Sequence, residues 1–237
     1  WRLCFRLEGR ERNPPAEGEA AQGQHRDFFI SIIDPPVTSM TQPPAPFFAS
    51  ETACCLADVL MGRQFLEHLP GRSFERRTLA AIGKDCLIAG LAAGMLGAKV
   101  ALVCERSLLP HVQQNVRVYL RDTIEYTSTK SACVTAVPCS PSRTAGVTGT
   151  ALCEQLNAAP TLDVAIIAET AVPWLLGVPG GIRRDAQGRR GTQDPHLFEA
   201  LGELAPAGAA TRVLLVRDCP LSLGAEESDS EDDGGGD

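Results

Sequence analysis

Residues 78–105 read TLAAIGKDCLIAGLAAGMLGAKVALVCE. Thr78–Ile82 is a short apolar run that stops at Gly83. An Ala- and Gly-rich apolar stretch, Ile88–Leu96, follows and is closed by Gly97. A second apolar run, Lys99–Cys104, ends at Glu105. The two short runs are of strand length, and the longer one, with a glycine just past its end, has the form of a helix with its C-cap. Strand, helix, strand at this spacing predicts a parallel βαβ unit.

The same alternation continues outward. Leu108–Leu120 has the pattern of a helix, with Asn115 inside it, and Ala132–Val137 reads as a further strand. Asp163–Ala168 (DVAIIA) is the clearest buried strand of the second half, and Arg212–Arg217 (RVLLVR) is another. His196–Leu204 reads as helical and Ala205–Ala210 as a turn. Upstream, Ser50 is a capping residue, and Ala53, Leu56, Ala57 and Leu60 recur at helical spacing. That helix is predicted to run to about His68, before Pro70-Gly71. The expected class is α/β: a Rossmann-like, mostly parallel sheet with helices on both faces, in one domain over 47–223.

The flanks read differently. Trp1–Gln24 lacks sustained periodicity and is predicted to be mostly disordered, Asp27–Ile33 is strand-like, and Asp34–Pro46 carries five prolines. Together 1–46 form a disordered, Pro-rich segment. Ser128–Thr150 reads as a long loop around its one strand, and Gly177–Pro195 as an insertion with four arginines. Residues 224–237 form an acidic, Gly-rich tail expected to be disordered. There Ser228 and Ser230 lie among acids, a context suited equally to phosphorylation and to plain solvation. The chain begins at Trp1, not Met, which is the pattern of a fragment.

Composition narrows the function classes. Of the 237 residues 44% are hydrophobic, enough for a core, but only 5% are aromatic, so Ala, Val, Leu and Ile must fill it. The formal net charge of -7 argues against a nucleic-acid partner, which needs a basic face. No apolar stretch reaches the ~20 residues of a membrane helix. The nine cysteines are odd in number and lack a CxxC, and several sit in apolar runs. They read as free thiols of a reducing, intracellular compartment, cytoplasmic or nuclear, and not as zinc ligands. His68, His111 and His196 are scattered and read as surface or hydrogen-bonded residues, and Cys86 as a small buried residue before a reactive thiol.

Four segments resemble one family in order and spacing. They are Ser50–Leu60 (SETACCLADVL), Thr78–Ala98, Lys99–Val116 (KVALVCERSLLPHVQQNV) and Asp163–Leu175 (DVAIIAETAVPWL). The chain is similar here to the seven-β-strand S-adenosylmethionine-dependent methyltransferases, in the methyltransferase-like branch that modifies protein lysines. The resemblance implies a seven-stranded sheet, S-adenosylmethionine as cofactor and a protein substrate. It implies cofactor contacts from Gly83, Lys84, Asp85, Glu105 and Ala168. Glu105, an acid closing the second strand of the unit, is placed to accept the ribose hydroxyls. Glu169, after the later strand, takes the place of the family's active-site acid.

The chain also departs from that pattern. The family loop is Glu-x-Gly-x-Gly-x-Gly; here it reads Ala81-Ile82-Gly83-Lys84-Asp85-Cys86-Leu87, and only Gly83 remains. A side chain at a position needing positive φ costs of order 1 kcal/mol or more, and Leu87 is large enough to take the cofactor's space. The Asp-x-x-Tyr motif becomes Glu169-Thr170-Ala171-Val172, and the tryptophan usual after the third strand is absent. The aromatic before the leading helix is represented by Phe47 or Phe48. A non-catalytic relative keeping the fold as a binding or scaffold module is therefore the rival expectation. A nicotinamide oxidoreductase fits less well, because no GxGxxG follows the first strand.

Overall fold

The computed structural model describes residues 1–7, 26–36, 47–69, 73–126, 133–139, 148–158, 161–168, 201–202, 204–205 and 210–216. The expectations for the tail after 223, for Gly177–Pro195 and for most of His196–Leu204 lie outside these residues. Of that last segment, Leu201, Gly202 and Leu204 are helical.

Among the described residues five strands form one parallel sheet. They are β3 (Thr78–Ile82), β4 (Lys99–Glu105), β5 (Cys133–Cys139), β6 (Val164–Ala168) and β7 (Arg212–Val216), in the spatial order β5-β4-β3-β6-β7. All four pairings are parallel. The chain is thus an α/β protein with a doubly wound strand order, whose direction reverses between β3 and β6. β3 and β6 are buried along their full lengths, as strands covered on both faces must be. β7 is the least buried of the five.

Three helices follow strands: α3 (Leu87–Met95) after β3, α4 (Leu109–Tyr126) after β4, and α5 (Gly149–Gln155) after β5. Right-handed crossovers put α3 and α4 on one face and α5 on the other. The small residues of α3 let it lie close to the sheet. A Cβ at Gly90 would stand 2.5 Å from Leu102 Cδ2 and 2.9 Å from Ala81 Cβ. Gly97, at φ 95°, ends the helix, as its place in the sequence predicts.

α1 (Glu51–Met61) is capped by Ser50, whose Oγ accepts from Ala53 N at 3.2 Å. Its stripe of Ala53, Leu56, Ala57 and Leu60 is buried, and the helix packs on α3. Here the structure differs from the single helix predicted to His68. Gly62 adopts an extended conformation, ψ 142°, while its N–H still bonds Asp58 O at 2.8 Å. The chain restarts as the one-turn α2 (Arg63–Glu67).

The N-terminal segment also departs from expectation. Disorder is predicted over Trp1–Gln24, yet β1 (Arg2–Leu7) pairs antiparallel with β2 (Arg26–Ser31). Leu3, Phe5 and Leu7 alternate with Arg2, Cys4 and Arg6, a short period-two pattern that suits a half-buried strand. Ile30 and Ile32 enter the main core at 1% exposure, and β2 touches α3 and α4. Asn115, fully buried on α4, fixes the junction. Its Oδ1 accepts from Ile33 N at 2.7 Å, and its Nδ2 donates to Ile33 O at 2.9 Å.

Candidate functional site at the carboxyl end of the sheet

In open parallel sheets ligands bind outside the carboxyl ends of the strands, where the strand order reverses. In this chain that point lies between β3 and β6. Gly83 occupies it at φ 101°, ψ 161°, a region open essentially to glycine alone. Its N–H donates to Val103 O at 3.0 Å, which carries the β3–β4 ladder one residue past the strand. Glu105 therefore projects from the neighbouring strand end close by. It is exposed, and Ser107 Oγ donates to its Oε2 at 3.3 Å. On the other side Ile82 registers with Ile167, so Ala168 closes β6 beside Gly83.

The loop after Gly83 is a 3-10 turn, Lys84–Cys86, leading directly into α3. Asp85 is buried to 5% exposure. Its Oδ1 accepts from Lys84 Nζ at 2.6 Å and from Ser50 Oγ at 3.1 Å. Lys84 Nζ also sits 5.4 Å from the centre of the Phe47 ring, close enough for a cation–π contact. One carboxylate thus ties the loop to the N-terminus of α1. Phe47 faces Lys84, whereas Phe48 is fully buried.

All five residues expected to contact a cofactor meet on this edge: Gly83, Lys84 and Asp85 in one turn, Glu105 on one flank and Ala168 on the other. Glu169, the expected active-site acid, lies outside the described residues. Neither Asp85 nor Leu87 takes a positive φ, so the strain considered for side chains there does not arise. Leu87, 3% exposed, belongs to the hydrophobic core. Ser50 enters the site as a partner of Asp85, a role its capping position does not announce.

Three buried thiols lie behind this edge. Burial, reinforced by the charge of Asp85, pushes Cys86 up to about 12 from an ordinary thiol value of 9.0, against hydrogen bonds with the backbone of Ile82 and Ala168. Burial, then Cys139 and Glu105, raises Cys104 to about 12, and burial with Glu105 raises Cys139 to about 11. These thiols stay protonated and unreactive at neutral pH. His68 is exposed and His111 half-buried, while His196 lies outside the described residues.

Among the described residues no group of three His, Cys, Asp or Glu could hold a metal ion, and no helix is long and apolar enough to cross a membrane. A cavity of about 380 Å³, lined by Phe65, His68, Val164, Arg212, Val213 and Leu214, lies toward the amino ends of β6 and β7, away from Gly83.

The sheet order defines a class, the α/β proteins built on an open parallel sheet whose strand order reverses near its middle. Compared with protein-family models and with curated proteins, the chain matches none.

Proposed function

We propose that this chain is an S-adenosylmethionine-dependent methyltransferase of Rossmann-like, seven-stranded type, acting on a protein side chain, with lysine as the target. The observation that carries the reading is the pairing of Gly83, in a glycine-only conformation at the strand reversal, with the exposed carboxylate of Glu105 one strand away. A carboxylate accepts two hydroxyl donors at once, as a ribose diol requires. The residues present fit such a group: Glu105 for the ribose, the turn Gly83–Asp85 for the amino-acid end, and Ala168 as the wall beside the sulfur. When bound, the cofactor supplies an electrophilic methyl carbon. The protein's task is then to align a neutral lysine amine with that carbon and to exclude water. Glu169, next along from Ala168, is the acid proposed to orient the amine. The setting proposed is intracellular, in cytoplasm or nucleus.

A specific observation supports the rival reading of a non-catalytic binding or scaffold module. Asp85 puts a buried carboxylate where the resembling family has glycine, and Lys84 beside it satisfies that charge. Calorimetric titration of S-adenosylmethionine into the full 237-residue chain separates the two. The whole chain is used because Ile30 and Ile32 belong to the core. Micromolar binding that Glu105→Ala abolishes is the expected result. A folded protein that binds nothing at millimolar cofactor leaves the scaffold.

A further inference from the structure

We propose that the cavity beside β7 is a second ligand site, which takes a small carboxylic acid with an aromatic or branched apolar body. It stands apart from the strand reversal and does not depend on what binds there.

The cavity measures about 380 Å³, within the range of about 300–1,000 Å³ that small-molecule pockets occupy. Four of its lining residues are apolar: Phe65, Val164, Val213 and Leu214. The other two, Arg212 and His68, are exposed. Among the described residues neither of these two side chains has a hydrogen bond or an ion pair. Asp163 receives the Arg212 backbone N–H on its carbonyl at 2.9 Å, but its carboxylate is taken by Arg77 and Thr78. Arg212 is therefore a cation without a counter-charge, and its planar fork matches the two oxygens of a carboxylate. His68 carries a ring N–H in either protonation state and adds a donor. One cation balances one negative charge. A phosphate dianion would leave a second charge and further oxygens against apolar walls, which is costly.

The walls are built before any ligand arrives, as a selective site requires. Thr211 Oγ1 donates to Leu162 O at 2.7 Å, and β7 is laddered to β6 from the Val164–Arg212 pair onward. Phe65 is stacked on Phe74, with ring centres 6.0 Å apart and planes 20° apart. The break at Gly62 matters here, because the chain leaves α1 there and restarts as α2, the helix that brings Phe65 to the cavity, with His68 at its end.

The test is equilibrium binding of three probes to the full chain. They are 2-naphthoate, 2-naphthamide, which keeps the body without the charge, and acetate, which keeps the charge without the body. 2-Naphthoate is expected to bind at least about tenfold tighter than either. Arg212→Met keeps an apolar stem at an exposed position. It should bring 2-naphthoate to within about threefold of 2-naphthamide, whose own affinity stays unchanged. His68→Ala should weaken 2-naphthoate by about threefold or more. 2-Naphthamide binding as tightly as 2-naphthoate overturns the proposal, as does a preference for the acid that survives Arg212→Met. A folded chain that binds no 2-naphthoate at about 1 mM overturns it too. None of these results bears on the S-adenosylmethionine titration with its Glu105→Ala control, so the two sites stand or fall separately.

Discussion

At its amino end β3 is tied to β6 by Asp163. Its Oδ2 accepts from Thr78 N at 2.8 Å and Thr78 Oγ1 at 2.9 Å, and its Oδ1 from Arg77 Nη1 at 3.1 Å. Asp163 N in turn donates to Thr78 O at 3.0 Å. At its carboxyl end the same strand runs into Gly83, in a conformation other residues avoid, and then into a buried carboxylate held by a lysine and a serine. The first end joins its strands through backbone and side-chain hydrogen bonds and one ion pair. The second spends glycine geometry and a desolvated charge on an arrangement that adds little to the sheet. Strain and buried charge concentrate where a fold does chemistry. Under the proposed function stability belongs to the amino end of β3 and ligand binding to its carboxyl end, and substitutions at the two ends should separate those properties.

The largest effect is expected at Asp163. Asp163→Ala removes three hydrogen bonds and leaves Thr78 N–H buried without its side-chain partner. The expected loss is about 2–4 kcal/mol, read as a fall in the urea midpoint. Any S-adenosylmethionine affinity measured on the unmodified chain should stay within about twofold, because the site lies at the far end of the strand. A stable Asp163→Ala chain that has lost cofactor binding would reverse the assignment.

Gly83→Ala tests the other end. A Cβ at φ 101° costs about 1–3 kcal/mol if the backbone keeps its course. The stability loss should be smaller than for Asp163→Ala, and cofactor affinity should fall at least about tenfold, since the turn must shift to relieve the strain. A variant that loses stability and keeps affinity would make Gly83 a plain turn residue.

How far the sequence foretold this contrast depends on what each feature is made of. Apolar runs marked the strands closely: Thr78–Ile82 is β3 as read, and Lys99–Cys104 falls one residue short of β4. Gly97 marked the end of α3 through a preference that belongs to glycine alone. Gly83 and Glu105 were legible as strand ends because each stops an apolar run. The helix α5 was not. It is seven residues long in a Ser-, Thr- and Gly-rich stretch, and it is held by Thr148 Oγ1 accepting from Ala151 N and by the burial of Leu152 and Cys153. The break at Gly62 was hidden because helical spacing of apolar residues continues on both sides of it. The link from Ser50 to Asp85 spans 35 positions and has no periodic trace. Local preference is written in the sequence; contacts that depend on two distant segments meeting are not.

The carboxyl end should also be the first to feel alkali. Cys86, Cys104 and Cys139 have folded values near 12, 12 and 11 against an ordinary 9.0. A thiol whose folded pKa is raised holds its proton longer in the native state, so its contribution is complete below pH 9 and is lost as pH climbs toward the folded value. Between pH 9 and 11 stability should fall by up to about 1.4 kcal/mol per pH unit for each such thiol. Urea midpoints at pH 8, 9, 10 and 11 measure the slope, and Cys86→Ala should lower it. A flat profile through pH 10 would mean that these thiols are not shielded as the structure has them. Mass-spectrometric mapping with iodoacetamide at pH 8 should label the exposed Cys4 and Cys55 and spare these three.

The smallest effect has the opposite sign and comes from the amino end, which is not free of strain. Arg76, two residues before β3, sits at φ 62° in the turn whose N–H bonds are Arg77 to Phe74 O at 2.9 Å and Arg76 to Gly97 O at 3.2 Å. The turn passes so close to Gly97 that a Cβ there would stand 3.3 Å from Glu75 Cα. An L-residue in the left-handed region costs about 1–2 kcal/mol, and glycine gives back about half of that through the extra freedom of the unfolded chain. Arg76→Gly should therefore raise stability by about 0.5–1 kcal/mol, whereas Arg76→Ala, which keeps the strain, should gain nothing. Ligand affinity should not move in either. A gain confined to glycine would show that strain near the amino end is incidental and removable. A loss of cofactor affinity on relieving it would mean instead that the two ends of β3 are coupled, and that stability and ligand work are shared along the strand.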